Sequence, residues 1–517
     1  MDDANLIGST IEEVSLLVGK RFDSDAKQKL TTLLFRTIQG SNDVILSPMA
    51  EKYGPRILLD EWDSIFTSLG DSRIEDTLLN IELAQKEKFS PRSVAKPWFP
   101  ERQKDLEGYY SSNSADYSVL DCSPSNLNLS LRPLSLASVK DFIKKSTSAG
   151  LPSMQKKGIV LDQTINNFEV LLSDANRLRI PCVIFTRTQE SLKTRIVFGV
   201  PLIVVLNEMR FYQPVLKVQR NLTWRSALRG PDEVASHLTA IIDEAKRTGN
   251  LLVSIDFSKY DQSIKPELQA KVGEYYKAIF QKSFSGDIDD LIKLKSEIKV
   301  VSPTGIISGG HGEPSGSAFT NEDDSIAQHC IARHSNIPVE GFYDIQGDDG
   351  VYMINPDSYP TFVSNFNKFG LEVNEDKSTT SMEYLTYLQN LYHPYYRLKD
   401  DKIPGVYPTY RALNRICYLE RFANFMDFGL QGRDYFAIRT LSILENCKYH
   451  PYFEELVKFV LSKDKYELSP SAKGIADYVK FVSETEGFSS DIINQFGDDI
   501  KGIKSWESFK LVQKLRA

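Results

Sequence analysis

The sequence predicts an α+β fold in which extensive helices surround at least one antiparallel sheet. Apolar residues recur with helical spacing through residues 1–90 and again beyond residue 400. Between these regions, short runs of β-branched and aromatic residues are typical of strands, and two of them flank the turn Gln346–Gly350, which predicts an antiparallel hairpin. A chain of 517 residues exceeds the size of a single hydrophobic core, so we expect several subdomains.

The first half of the chain is predicted to contain helices followed by a pair of strands. After the N-terminal helices, prolines between residues 91 and 100 predict an irregular crossing segment. A short helix is predicted from Ser135 to Ile143, and it ends before the turn Ser148–Pro152. The run Val183–Val200 predicts a strand, a polar turn and a second strand, with basic side chains interspersed.

The second half carries the most informative polar residues. Pro231–Thr248 predicts a helix closed by a Gly-Asn pair, and Leu251–Ile255 predicts a buried strand that ends at Asp256. The strands of the predicted hairpin are Phe342–Ile345 and Val351–Ile354. Two aromatic-rich runs of the C-terminal third are predicted to be helical, Arg411–Phe428 and Tyr435–Cys447.

Composition and charge exclude several classes of protein. The acidic N-terminus lacks the pattern of a signal peptide, and no run reaches the about 18 apolar residues of a membrane span. The five cysteines are scattered without metal-site or disulfide spacing, so reduced thiols in a cytosolic setting are expected. The net charge of −7 does not exclude an anionic ligand, because a ligand responds to the local field of a cleft, and for such a ligand we predict a basic channel inside an acidic shell.

Three aspartates at strand ends are the first candidates for chemistry. If the strand before Asp256 pairs with the hairpin that carries Asp348 and Asp349, the three carboxylates converge. Such a cluster is unfavourable without cations, and oxygen ligands select magnesium or manganese. Two such ions suit an in-line phosphoryl displacement. Taken singly, the Asp-Asp pair also fits an ordinary turn, and Asp256 fits a strand end followed by a helix cap.

A glycine-rich loop from Ser308 to Asn321, followed by a predicted helix, is the second candidate. Glycines let the backbone approach a sugar-phosphate closely, and Ser315, Thr320 and Asn321 can hydrogen-bond to hydroxyls. The loop lacks the endings of a P-loop or a dinucleotide fold. A flexible surface loop is the alternative interpretation.

Together these segments resemble a known family. Asp256-x4-Asp261, the run Pro-Ser-Gly-x3-Thr-Asn of residues 314–321, and the Gly-Asp-Asp of residues 347–349 follow one another at plausible distances. This order resembles the palm signature of viral RNA-dependent RNA polymerases, and is most similar to the picobirnavirus and partitivirus group of double-stranded RNA viruses. The resemblance implies a right-hand fold of fingers, palm and thumb with an antiparallel palm sheet.

The flanking segments fit the same family. The run from Arg187 to Gly199 resembles the fingers motif that meets the incoming triphosphate, which implies this role for Arg187, Lys193 and Arg195. A solvated basic strand is the alternative. The resemblance assigns template guidance to three residues of the preceding turn, Ser148, Gly150 and Pro152. Downstream, Lys377 matches the general acid that protonates the pyrophosphate, although a surface lysine is the simpler explanation.

The resemblance is weaker where the ribose is recognised. It implies nucleotide contacts for five residues of the two palm motifs, Asp261, Ser315, Gly316, Thr320 and Asn321. In many such polymerases, however, the asparagine that senses the ribose lies several residues after the threonine, where this chain has Asp324. His311 of the same loop is interpreted as structural rather than catalytic.

The implied division of the chain has four parts. Residues 1–140 are expected to form an N-terminal extension and part of the fingers, and residues 141–248 the fingers. The palm is expected at residues 249–390, with a fingers insertion near 265–305, and the thumb and C-terminal helices at residues 391–517.

The implied activity is RNA-directed RNA synthesis with two Mg²⁺ or Mn²⁺ ions. Its partners are an RNA template and product, ribonucleoside triphosphates and a viral capsid protein. The enzyme is expected to replicate and transcribe a viral genome in the virion interior or the host cytoplasm. Two rivals stay open: a reverse transcriptase, against which Gln346, Gly347 and Asp261 argue, and a catalytically silent RNA-binding or capsid-associated scaffold.

Overall fold

Helices make up most of the chain, as the apolar periodicity predicted. The computed structural model describes residues 3–70, 72–124, 127, 129–422, 424–486 and 500–517. The N-terminal helices are α1 (Asp3–Val18), α2 (Ser24–Gln39), α3 (Pro48–Tyr53), α4 (Pro55–Leu69), α5 (Asp76–Glu87) and α6 (Gln103–Tyr110). The C-terminal helices are α17 (Thr409–Cys417), α18 (Gly432–Glu445), α19 (Phe453–Lys463), α20 (Ala472–Glu486) and α21 (Glu507–Arg516).

The middle of the chain mixes helices with strands. Its helices are α7 (Leu136–Val139), α8 (Lys157–Asn166), α9 (Phe168–Asn176), α10 (Leu202–Gln219), α11 (Pro231–Thr248), α12 (Tyr260–Ser263), α13 (Pro266–Ile279), α14 (Ser285–Glu297), α15 (Thr320–His334) and α16 (Tyr359–Lys368). Its strands are β1 (Cys182–Thr188), β2 (Thr194–Gly199), β3 (Leu251–Ile255), β4 (Val300–Ser302), β5 (Gly305–Ile307), β6 (Tyr343–Gln346), β7 (Asp349–Ile354), β8 (Thr379–Ser381), β9 (Leu385–Tyr387) and β10 (Asn390–Tyr392).

The central sheet is antiparallel and has the strand order β6-β7-β3-β8. β3 pairs with β7 so that Ile255 lies opposite Gly350, and β6 pairs with β7 so that Gln346 lies opposite Asp349. The predicted pairing of the strand before Asp256 with the hairpin is therefore confirmed. Helices α13, α15 and α16 cover one face of this sheet through a shared apolar core.

A second sheet has the order β2-β1-β4-β5 and lies outside the central one. β1 and β2 form the predicted antiparallel hairpin, with Arg187 opposite Arg195. β4 adds to β1 in parallel, although more than 100 residues separate the two strands in the chain. The segment after α14 thus pairs with the β1–β2 hairpin, which lies earlier in the chain.

One of the two predicted C-terminal helices is shorter than its periodicity suggested. The run Arg411–Phe428 was predicted to be one helix, but α17 ends at Cys417 and a 3₁₀ turn forms at Phe425–Phe428. The chain is extended after Cys417 because Leu419 donates its N–H to the carbonyl of Ile45 at 2.9 Å. A strand-like bridge to the N-terminal region therefore replaces the helix.

Two further expectations can be compared with the structure. All five cysteines are buried and free. Over the ranges that the structure describes, no helix is both long and apolar enough to cross a membrane.

Candidate active site

The three predicted carboxylates come from neighbouring strands of the central sheet. Asp256 follows the last residue of β3, and Asp348 and Asp349 form the turn and the start of β7 directly beside it. Gly347 opens the two-residue turn with φ of +67°, a conformation that glycine adopts without strain. Burial, followed by the charges of Asp348 and Asp256, raises the pKa of Asp349 to about 7. The carboxylates are therefore close enough to repel one another.

Asp256 is fixed by the segment that carries Lys377. Its N–H donates to Ser378 Oγ at 3.0 Å, and its carbonyl accepts from the N–H of Asn374 at 2.8 Å. Burial raises the pKa of Asp256, the charge of Lys377 lowers it and the charge of Asp348 raises it again, with an upward net shift. Lys377 is thus brought into the field of the predicted metal ligand.

Further cations surround the carboxylates. Burial lowers the pKa of Lys193, and the nearby charges of Arg195 and Lys377 act in the same direction. The charges of Asp256 and Asp348 oppose that shift, so Lys193 lies within their field. Three cations therefore lie near the carboxylates, and the predicted basic channel stays a prediction.

Arg187 has a different environment from the other predicted cations. Its Nε contacts Glu420 Oε1 at 3.3 Å, and 55% of its side chain is exposed. It also lies directly opposite Arg195 in the β1–β2 register. Two like charges facing each other across a hairpin are unfavourable unless an anion lies near them.

The glycine-rich loop packs tightly against β2. A Cβ on Gly316 would lie 1.8 Å from the carbonyl oxygen of Phe198, so no larger residue fits. Thr320 Oγ1 donates to the carbonyl oxygens of Pro314 at 3.0 Å and Ser317 at 3.1 Å, and so closes the loop. Ser315 Oγ accepts weakly from the N–H of Phe198 at 3.4 Å. The loop is therefore a fixed element rather than the flexible surface loop of the alternative interpretation.

A buried glutamate from α10 holds the middle of this loop. The side chain of Glu208 accepts from Ser317 Oγ at 2.9 Å and from the N–H of Ala318 at 2.8 Å. Burial raises the pKa of Glu208 to about 7, although both hydrogen bonds oppose the shift. Glu208 was not among the predicted site residues. The signal that could have found it is a carboxylate two residues after the apolar run Leu202–Leu206.

Asn321 joins the loop to the carboxylate hairpin. Its Oδ1 accepts from Arg225 Nη2 at 3.1 Å and from Gln346 Nε2 at 3.0 Å. Arg225 is fully buried and also pairs with Glu322 at 2.8 Å. The ribose contact of Asn321 stays a prediction. In this structure, the side-chain amide oxygen of Asn321 accepts a hydrogen bond from Gln346 of the hairpin.

Asp261 is instead grouped with Asp324. Burial, then the charges of Asp348 and Glu313, raises the pKa of Asp261 to about 6, while Arg195 opposes this shift. Burial and then the charge of Asp261 raise the pKa of Asp324 well above its ordinary range. The charge of Asp261 thus acts on Asp324, which lies where many such polymerases carry the asparagine expected to sense the ribose.

The predicted template turn and the loop histidine both contact the rim of the second sheet. Ser148 Oγ accepts from the N–H of Gly150 at 3.1 Å, and Pro152 follows in the same turn. A Cβ on Gly150 would lie 3.1 Å from the carbonyl oxygen of Gly199 at the end of β2. His311 Nε2 lies 2.9 Å from the carbonyl oxygen of Ile298, in agreement with a structural role.

The carboxylate oxygens of Asp256, Asp348 and Asp349 are chemically suited to bind a divalent metal ion. Among the residues that the structure describes, no three acidic, histidine or cysteine side chains stand together as a ready-made metal site. Asp348 is nevertheless exposed at the turn, and Asp349 is half-buried, within the field of Asp256. Carboxylate oxygens are the ligands that magnesium and manganese prefer, and a cation would relieve the repulsion among these groups.

Comparisons with known proteins agree over most of the chain. Residues 125–403 match the family described as viral RNA-dependent RNA polymerase. The chain is 28% identical over 468 residues to a potential RNA-dependent RNA polymerase of human picobirnavirus (strain Human/Thailand/Hy005102/-), covering 86% of each chain. It also resembles the crystal structure of the RNA-dependent RNA polymerase of a human picobirnavirus, with a TM-score of 0.80 and 25% identity over 98% of this chain and 99% of that one. An insertion-loop deletion mutant of that polymerase gives a TM-score of 0.79 and 26% identity, with the same coverage of both chains.

Proposed function

Because this chain belongs to the family of viral RNA-dependent RNA polymerases, we propose that it extends RNA at the cluster of Asp256, Asp348 and Asp349. The chain is an RNA-directed RNA polymerase with the right-hand fold that the resemblance predicted. Its substrates are an RNA template and ribonucleoside triphosphates. The observation that carries the proposed site is the pairing of β3 with β7, which brings the three carboxylates to one edge of the sheet.

Two Mg²⁺ or Mn²⁺ ions are the proposed cofactors. When bound, such ions activate the attacking 3′ hydroxyl and stabilise the leaving phosphates of an in-line displacement. Asp256 and Asp349 are the proposed principal ligands, and Asp348 supports them. Burial and, after it, the charges of Asp348 and Asp256 raise the pKa of Asp349, and a cation would offset both effects, which supports this assignment.

The cations around the cluster are proposed to receive the triphosphate. Arg195 lies in β2, Lys193 lies two residues before it at the end of the turn, and Arg187 faces Arg195 from β1. An anion between these like charges would remove their repulsion. Lys377, whose charge acts on Asp256, is the proposed proton donor to the pyrophosphate, which leaves as the new bond to the α-phosphate forms.

The remaining nucleotide contacts are proposed for Asp261, Ser315, Gly316, Thr320 and Asn321, and the template contacts for Ser148, Gly150 and Pro152. The close approach of the Gly316 loop to β2 supports a role in shaping the nucleotide site. Hydrogen bonds within the protein hold the side chains of Thr320 and Asn321 in place beside that site. We further propose that the enzyme replicates and transcribes a viral RNA genome, beside a capsid protein in the virion interior or in the host cytoplasm.

The decisive experiment is magnesium- or manganese-dependent incorporation of labelled ribonucleotides on a single-stranded RNA template. We expect synthesis by the intact protein and a loss of at least about a hundredfold in Asp348→Ala plus Asp349→Ala. The matched control is Asp400→Ala plus Asp401→Ala, which removes an adjacent pair of exposed aspartates elsewhere in the chain. Equal synthesis by the active-site and control variants would show that the carboxylate assignment is wrong.

The same assay separates the two rivals. A preference for deoxyribonucleotides over ribonucleotides would identify a reverse transcriptase. RNA binding without metal-dependent synthesis on any template would favour the silent scaffold.

A further inference from the structure

The turn between β1 and β2, residues 189–193, carries one acidic residue, Glu190, which has no role in the proposed reaction. We call this segment the tip turn. It ends at Lys193, whose pKa responds to the charges of Asp256 and Asp348. The position of the tip turn therefore decides how Lys193 and Arg195 face the carboxylate cluster.

Glu190 lies in the tip turn between two arginines from distant parts of the chain. Its Oε2 accepts from Arg92 Nε at 3.2 Å, and its Oε1 accepts from Arg411 Nη1 at 3.1 Å. The exposed fractions of the three side chains are 19% for Glu190, 11% for Arg92 and 20% for Arg411. A pair this shielded from water is screened less by salt than an exposed one.

Backbone contacts reinforce the same connection. The N–H of Ser191 donates to Ser90 Oγ at 2.7 Å, and the N–H of Ser90 donates to Asn414 Oδ1 at 3.1 Å. The N–H of Lys96 donates to Thr194 Oγ1 at 3.0 Å at the start of β2. The N-terminal segment 90–96 thus lies between the tip turn and helix α17 and contacts both.

The charge of Glu190 is maintained despite its environment. Burial raises the pKa of Glu190, but a backbone hydrogen bond and the charges of Arg411 and Arg92 outweigh burial and lower it. Glu420 adds a second acidic contact, at 3.8 Å to Arg92 and 3.3 Å to Arg187. Loss of the Glu190 charge would leave Arg92 and Arg411 close together without their shared partner.

We propose that Glu190 is a positioning residue which anchors the tip turn to Arg92 and Arg411, so that Lys193 and Arg195 meet the incoming triphosphate. This inference rests on the proposed function, because it assumes that those two cations bind the nucleotide. Glu190 itself contacts no reacting atom and acts through the hairpin. A misplacement of the hairpin by about 1 Å is enough to weaken binding and catalysis strongly.

The test compares Glu190→Gln with Glu455→Gln. The control also removes an ion pair between the N-terminal region and the C-terminal helices, at 3.0 Å to Arg73, but it lies outside the tip turn. For Glu190→Gln we expect the KM for ribonucleotides to rise about tenfold, with a smaller change in kcat, while Glu455→Gln keeps both constants. A KM equal to that of the control would overturn the proposal.

Hydrogen exchange measures how firmly the tip turn is anchored, and it does not require RNA synthesis. We expect the amides of residues 189–193 to exchange about tenfold faster in Glu190→Gln than in the control, with thermal midpoints of the two variants within about 2 °C. Unchanged exchange would overturn the proposal, even if the unaltered protein synthesised no RNA. Absence of synthesis in the unaltered protein, with faster exchange in Glu190→Gln, would count against the proposed function alone and would support the anchoring.

Discussion

At the scale of single residues, Asp344 of the β6–β7 hairpin shows how hydrogen bonds hold a buried carboxylate inside the central sheet. Asp344 of β6 is fully buried and accepts three hydrogen bonds. The donors are Ser226 N–H at 3.3 Å, His237 Nδ1 at 2.8 Å and the hydroxyl of Tyr387 at 2.8 Å. These three donors offset the free-energy cost of burying the carboxylate. Loss of any one of them therefore lowers the free energy of unfolding.

The partnership with Asp344 makes part of the stability depend on pH. Burial lowers the pKa of His237, but the hydrogen bond and charge of Asp344 outweigh burial and raise it above the ordinary value. The stabilisation by protonated His237 is therefore complete below the unfolded pKa of about 6.5, and it is lost as the pH rises through the higher folded pKa. We expect His237→Gln to cost about 2 kcal/mol at pH 6 and about 1 kcal/mol at pH 9. Thermal unfolding of both proteins across this range measures the difference.

Tyr387→Phe supplies the control for this prediction. It removes another donor to Asp344, but burial and the charge of Asp344 raise the pKa of Tyr387 well above its ordinary range, so its hydroxyl does not titrate near neutral pH. Its cost should therefore be the same at pH 6 and at pH 9. A cost of His237→Gln that is equally independent of pH would contradict the prediction.

At the scale of elements, the glycine-rich loop and strand β2 behave as one unit. Because a Cβ on Gly316 would overlap the carbonyl of Phe198, Gly316→Ala must push the loop away from β2. We expect a loss of about 1–3 kcal/mol of stability and at least about a tenfold loss of ribonucleotide incorporation, since the loop shapes the nucleotide site. Melting temperature and incorporation rate, measured on the same preparation, test both parts.

A glycine in open space is the appropriate control for that change. Gly286 of α14 has no atom within 4 Å of an added Cβ, so Gly286→Ala should change stability by less than about 1 kcal/mol and leave synthesis intact. If Gly316→Ala behaves like Gly286→Ala, the close approach of the loop to β2 is not what the enzyme requires.

Local signals predicted most elements, and non-local contacts account for the main exception. Helix α11 has the predicted bounds because Pro231 starts it and Gly249, with φ of +72°, ends it. The end of α17 could not be predicted in this way, since it depends on the backbone of Ile45, more than 300 residues earlier.

The same distinction applies to the site. Asp256, Asp348 and Asp349 follow from the order and spacing of motifs, whereas Glu190 and Arg225 act through partners that are remote in the sequence. Spacing along the chain carries no information about such partners. The hydrogen bond from Gln346 to Asn321 and the effect of Asp261 on Asp324 likewise became visible only in the structure.

At the scale of the whole molecule, the N-terminal region is divided between two hydrophobic cores. Helices α1 and α2 pack with the second sheet, whereas α3 and α4 pack with the C-terminal helices. Between them, segment 90–96 contacts the tip turn and α17. The region therefore connects the core of the second sheet with the core of the C-terminal helices, and removing it should disturb both.

Trp62 of α4 provides the test of that connection. Its fully buried ring lies 5.7 Å from Phe459 of α19, and its Nε1 donates to Thr409 Oγ1 at 3.2 Å. Trp62→Ala should cost about 3–5 kcal/mol, because it leaves a large cavity in the core shared with the C-terminal helices. Leu16→Ala, at a side chain that is 86% exposed, should cost less than about 0.5 kcal/mol. Hydrogen exchange in Trp62→Ala should rise in α17–α19 and stay unchanged in β1 and β2. Faster exchange in the second sheet alone would show that α4 belongs with the second sheet and not with the C-terminal helices.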